Sequence, residues 1–212
     1  MDLRDRTLIA LGGQLGHPHG LPGRVVGRFL NHANRAAILA AVDALDIPPA
    51  PVLADFGFGG GIGLEILLSR VGAGGRVHGV DVSSTMIDSA SRRFSREIEA
   101  GLLKVHCAPI ERLPLETSTV DGVITLNTLY FISDLDSALR ECTRVLRPSG
   151  QLVIGLGDPD QMARQPMTDH GFRLRPLSEI RKALLLAGLE VDRHLQVGSG
   201  HDVTNLLVTQ PL

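Results

Sequence analysis

The sequence predicts a doubly wound α/β fold, and three observations carry that expectation. Short apolar runs alternate with stretches of helical periodicity, a glycine-rich turn follows the first of those runs, and the last two runs lie too close together to enclose a helix. With 212 residues, 43% of them apolar and 21% charged, the chain has the size and composition of one globular domain with a full core.

The elements follow in order. Leu11 to Gly23 is rich in Gly and Pro and reads as an ordered loop. From Val25 to Leu45 the apolar positions Val26, Phe29, Leu30, Ala33, Ala37, Ala41 and Leu45 recur at helical spacing, and Pro48 and Pro49 stop the pattern. Strands are expected over Val52–Phe56, Arg76–Val80, Leu102–Cys107, Val120–Leu126 and Gln151–Leu156. Helices are expected over Gly61–Val71 and Ser84–Ala100, the latter with Met86, Ala90, Phe94 and Ile98 on one face. Another starts at a capping box formed by Ser133 and Asp136, continues through Leu146, and is ended by Pro148 and Gly150. A last helix covers Ser178–Ala187. Strand–helix alternation implies crossover connections, hence a parallel sheet covered on both faces. The final pair, Leu189–Val197 and Asp202–Gln210, is separated only by residues 198–201, so it forms an antiparallel hairpin.

Composition excludes several partners. The formal charge of -2 provides no clustered basic face, so a nucleic acid acceptor is not expected. The first ten residues carry Asp2, Arg4, Asp5 and Arg6 in place of a secretory apolar centre, and no run of about 18 apolar residues occurs, so a cytosolic location without an integral membrane segment is expected. Cys107 and Cys142 stand alone in a strand and a helix and read as buried thiols, not as a disulfide or metal site.

The most informative segment runs from Val52 to Glu65. A strand enters the glycines Gly57, Gly59, Gly60, Gly61 and Gly63, which permit a tight turn and close backbone approach, and a helix follows whose free N–H groups favour an electron-rich ligand. By itself such a turn suits a dinucleotide or S-adenosyl-L-methionine equally. Asp55 separates the two, because a carboxylate at the strand end repels a pyrophosphate and attracts an ammonium or sulfonium group. The dinucleotide spacing G-x-G-x-x-G is also broken, since counting from Gly57 and Gly59 its last position is Ile62. The next strand ends at Asp81, whose two oxygens suit a pair of ribose hydroxyls, while Ser83 or Ser84 is free to cap the helix that follows.

With these residues in view, the chain resembles the class I S-adenosylmethionine-dependent methyltransferases, in particular the small-molecule branch that includes the ubiquinone and menaquinone biosynthesis enzymes. Asp55, Gly57, Gly59 and Gly61 match the family's first motif and Asp81 its second. Later landmarks are Leu113-Pro114, the run Val120 to Ile124, Leu139 to Glu141, and Arg144 to Gly150. The resemblance implies a Rossmann-like, seven-stranded sheet with an antiparallel C-terminal strand. It divides the single domain 1–212 into a lid loop and helix over 1–47, a cofactor-binding core over 50–157, and a helix with a hairpin over 158–212. The expected cofactor-binding residues are Asp55, Gly57, Phe58, Gly59, Gly61, Asp81, Val82, Met86, Pro109, Ile110, Glu111 and Asn127. The base is expected against Ala108 to Glu111, although Pro109 stands where the family often has an aspartate to receive the adenine amino group.

The implied reaction is methyl transfer to a small molecule by in-line displacement, which asks the protein mainly for alignment. Any general base is expected from His17 or His19 in the lid loop or from Tyr130, with His32 as a further candidate. His17 and His19 have no cysteine or carboxylate beside them, so no metal is expected. Gln14, Asn31 and Asn34 are polar groups on the same lid. A homodimer is compatible with this reading. Two others remain open, a protein that holds the methyl donor without transferring it and a dinucleotide-dependent oxidoreductase.

Overall fold

The computed structural model describes residues 34–164, 168, 171–199 and 203–212. Helix α1 covers residues 34–43 and buries Ala37, Ile38, Ala41 and Val42. It leads through the two prolines into β1 (Val52–Phe56), α2 (Ile62–Leu68), β2 (Arg76–Asp81), α3 (Ser84–Arg93), α4 (Ser95–Glu99) and β3 (Leu103–Cys107). A short 3₁₀ turn at Ile110–Arg112 precedes β4 (Val120–Leu126), and a second at Leu129–Phe131 precedes α5 (Leu135–Val145). The chain ends with β5 (Leu146–Gly157), α6 (Pro159–Met162), α7 (Leu177–Leu186), β6 (Leu189–Val197) and β7 (Thr204–Pro211).

These strands form one seven-stranded sheet in the order β3-β2-β1-β4-β5-β7-β6. The first five are parallel to their neighbours, and β7 runs antiparallel to both β5 and β6. The chain moves outward from β1 to β3 and then restarts at β4 on the other side of β1. That reversal leaves a crevice at the carboxyl ends of β1 and β4, where open α/β sheets bind ligands.

Side chains alternate across the sheet because strand residues point to opposite faces. On one face Phe56, Val80, Val123, Leu152 and Ile154 pack with Leu139 of α5 and Leu184 of α7. On the other, Leu53, Val77, Ile124 and Val153 pack with Val42 of α1 and with Leu64 and Leu67 of α2. Among the described residues no helix is long and apolar enough to cross a membrane.

Several boundaries differ from the sequence reading. The helix expected over Ser84–Ala100 breaks at Phe94, whose backbone leaves the helical region (φ -112°, ψ 31°) so that its ring is buried beneath Gly61. The first βα helix stops at Leu68 and not at Val71. The expected capping box at Ser133 is replaced by Asp134, which accepts hydrogen bonds from Ser137 N (2.9 Å) and Ser137 Oγ (2.7 Å). The fifth strand begins at Leu146, which pairs with Val120 before the register shifts to Gly122 and Gln151, so the helix ahead of it ends before Pro148. Cys142 is buried as expected, whereas Cys107 is exposed because the sheet edge leaves that side of β3 uncovered.

Candidate active site

Three segments meet at the crevice: the turn after β1, the end of β2 and the segment after β4. In the first, Gly57, Gly59 and Gly61 have φ of 76°, 49° and 78°, a region costly for any residue with a Cβ. Gly57 N donates to Val80 O (2.7 Å) and Gly61 N to Phe58 O (2.9 Å), fixing both ends of the turn. A Cβ on Gly57 would overlap the Thr128 side chain, so the segment after β4 leans directly on the glycine turn. A Cβ on Gly59 would meet only Gly57 O, at 4.0 Å, so the middle of the turn borders open space.

Asp55 lies one residue before the end of β1 and is 5% exposed. Its carboxylate is seated over Gly63 in the first turn of α2, where a Cβ would overlap Oδ2. Burial, then the neighbouring Asp81, pushes its pKa up to about 8. Near neutral pH that shift favours the protonated carboxyl, a revision of the charged carboxylate read from the sequence. A cation placed beside it would favour ionisation.

Asp81 ends β2 with Oδ2 accepting from Gly59 N (2.9 Å) and Oδ1 from Ser83 N (2.8 Å). It therefore braces the glycine turn at the carboxyl end of β2. Ser83 caps α3, its Oγ accepting from Met86 N (3.3 Å). Val82 is 42% exposed, an apolar surface beside the acid that suits the face of a base. Phe58 and Met86 are both buried in the core, so their contribution is support from beneath. Ala108 N donates to Asp81 O (3.1 Å), which sets Pro109, buried Ile110 and half-buried Glu111 next to the end of β2.

After β4, Asn127 adopts φ 57°, a left-handed conformation that asparagine tolerates better than most residues, with its N–H bonded to Gly155 O (2.8 Å). Tyr130 is buried, and burial pushes its pKa up to about 12. Its hydroxyl lies near the Gly157 backbone without a hydrogen bond of ordinary geometry. Burial of this kind disfavours the phenolate that a general base would present. His17, His19, His32, Gln14 and Asn31 lie outside the described residues.

Sequence reasoning missed several contributors. Thr128 donates to Phe56 O (3.3 Å) or Leu126 O (3.2 Å) while walling Gly57. Arg93 reaches from α3 to Gly60 O (3.3 Å) and pairs with Glu65, clamping the outer side of the turn. Gly63 had a legible signal, since a glycine inside a helix costs about 1 kcal/mol relative to alanine and needs a reason. Phe172 and Arg175, which pack on the segment after β4, had none.

Comparison with known proteins agrees with this geometry. The family model described as a methyltransferase domain matches residues 54–154. An uncharacterized transposon-encoded protein of Streptomyces fradiae is 39% identical over 121 residues, covering 57% of this chain and 34% of its own length. A ubiquinone/menaquinone biosynthesis C-methyltransferase of Hydrogenovibrio crunogenus is 31% identical over 114 residues, covering 54% of this chain and 45% of its own length. The chain spans about half, or less, of the length of the first curated relatives it matches. The crystal structure of an S-adenosylmethionine-dependent methyltransferase from Aquifex aeolicus superposes with a TM-score of 0.73 at 21% identity, over 86% of this chain and 93% of that one, which shows a shared fold. Sheet order, crevice and sequence match together make residues 54–154 of this chain similar to the methyltransferase domain that the family model describes.

Proposed function

We propose that the protein transfers the methyl group of S-adenosylmethionine to a small-molecule acceptor. The observation that carries this reading is the convergence of two acids at the glycine turn: Asp81 Oδ2 accepts from Gly59 N (2.9 Å) beside the open space over that glycine, and Asp55 lies near enough for the Asp81 charge to raise its pKa. Asp81, at the tip of β2, would accept from the ribose hydroxyls, and Val82 with Ile110 would flank the base. Asp55 would face the methionine ammonium, whose charge would draw the carboxyl back to its ionised form. The sulfonium supplies an already activated methyl group, so the residues on the acceptor side have mainly to align and to exclude water. Where the accepting atom carries a proton, His17 and His19 are the candidate bases, because Tyr130 holds its own proton too tightly.

Calorimetric titration with S-adenosylhomocysteine and, separately, with NADP tests the reading. S-adenosylhomocysteine is expected to bind and NADP to give no heat. Asp81→Ala should weaken the former by about 1–3 kcal/mol, the cost of losing hydrogen bonds to a charged group. Gly59→Val should abolish binding, since a β-branched side chain is strained at that φ and fills the open space. Binding of NADP in place of S-adenosylhomocysteine, or unchanged affinity in both variants, would remove the assignment.

A further inference from the structure

Two consecutive residues, Arg93 and Phe94, hold the glycine turn from outside at the break between α3 and α4. Neighbouring residues of a continuous helix point about 100° apart and would not both reach one turn. Because α3 stops at Arg93, the buried Phe94 ring lies beneath Gly61, where a Cβ would come within 3.3 Å of Phe94 Cε2. The Arg93 guanidinium sits over that ring, 4.9 Å from its centroid, donates through Nη1 to Gly60 O (3.3 Å) and pairs through Nη2 with Glu65 of α2. Ring, carbonyl and carboxylate together suit a planar fork of donors better than the point charge of a lysine.

The peptide unit between Gly60 and Gly61 is the part of the turn that this contact fixes. Its carbonyl accepts from Arg93 on the outer side, while its N–H donates to Phe58 O (2.9 Å) and closes the turn. A flip of that unit rotates ψ of Gly60 and φ of Gly61 together, and with glycine at both positions no side chain opposes it. The flipped unit would lose the Phe58 hydrogen bond and put a carbonyl oxygen where the N–H now stands. Gly61 also opens α2, with φ 78° and ψ 17°, so the setting of this one unit fixes how the helix leaves the turn.

We propose that Arg93 is a positioning residue for the cofactor: by holding Gly60 O outward it keeps the Gly60–Gly61 peptide unit in the setting in which the glycine turn receives the adenosyl ligand. The inference rests on the methyl-transfer reading above. Arg93 acts through the main chain and touches no ligand, while Glu65 orients its guanidinium and Phe94 supports it from below.

Three variants of the full chain separate this role from charge and from stability, each titrated calorimetrically with S-adenosylhomocysteine at a temperature where circular dichroism shows it folded. Arg93→Met should bind about fivefold more weakly than the native chain, the worth of one partly exposed hydrogen bond from a charged group. Arg93→Lys keeps a donor for Gly60 O and should recover to within about twofold. Arg92→Met removes the same charge from the same last turn of α3 and should bind as the native chain does. Relaxation dispersion at the Gly60 and Gly61 amides reads the flip itself: microsecond-to-millisecond exchange, absent from the native chain, should appear in Arg93→Met and be suppressed by S-adenosylhomocysteine. Native affinity in Arg93→Met, whatever its melting temperature, an equal loss in Arg92→Met, or flat dispersion at both glycines in Arg93→Met overturns the positioning role alone. Failure of the native chain to bind S-adenosylhomocysteine sinks the methyl-donor reading and the cofactor role with it, and the dispersion comparison then reports only on the hold over the turn.

Discussion

At Asp55 the proposed cofactor contact would come at a cost in stability. Its carboxyl is raised to about 8 in the fold from an ordinary value of 3.8, so between those limits the folded chain holds a proton that the unfolded chain releases. Stability linked to this group is therefore complete below about pH 4 and lost as pH rises through the folded pKa. Asp55→Asn keeps the shape and removes the titration. Relative to the native sequence, the variant's melting temperature should gain progressively from pH 5 to pH 8, while its affinity for S-adenosylhomocysteine falls because the methionine ammonium loses its anionic partner. Melting curves at four or five pH values check the first part. Parallel curves for the two proteins would mean that Asp55 is already ionised in the fold.

Within α2 the same carboxylate explains a glycine that helix propensity disfavours. Gly63→Ala would ordinarily gain about 1 kcal/mol in a helix, but here the new methyl group would overlap Asp55 Oδ2 and press on Ile124 Cδ1 at 3.1 Å. The substitution should therefore destabilise the native chain, and most of that loss should vanish when it is combined with Asp55→Ala, a coupling that urea denaturation of the four proteins in the cycle measures. Additive effects would place the clash elsewhere. The glycine turn and its two acids were legible because each is a local pattern: a strand, a tight turn, a helix start and an acid at a strand tip. The break at Phe94 was not, since the apolar spacing through Met86, Ala90, Phe94 and Ile98 continues unchanged across it; only the space under Gly61 draws the ring out of register. Asp134 displaced Ser133 as cap for a similar reason, because two residues in a row offered an oxygen and only backbone geometry chose between them.

Across the whole molecule, the strand order brings together residues far apart in the chain, which is why the alternation of elements predicted the sheet and its hairpin but not the packing on the segment after β4. Nothing near Tyr130 in the sequence points to Phe172 or Arg175; their meeting depends on the segment before α7 packing back over the end of β4. The same topology makes a cofactor act on some elements and spare others. In the proposed reading, a ligand held by Asp55, Gly59 and Asp81 would tie the carboxyl ends of β1 and β2 to the segment after β4 through Thr128, whereas β6 joins the sheet at its edge through β7. At a hundredfold excess over its dissociation constant, such a ligand adds about 2.7 kcal/mol, which for a chain of this size raises the melting temperature by roughly 5–10 °C. Amide exchange should accordingly slow at residues 57–61, 81–83 and 127–131 when S-adenosylhomocysteine is added, and stay constant at the outer strand Leu189–Val197 beyond what global stabilisation accounts for. Protection spread evenly over all strands, with no excess at the three crevice segments, would show that the ligand binds elsewhere on the sheet.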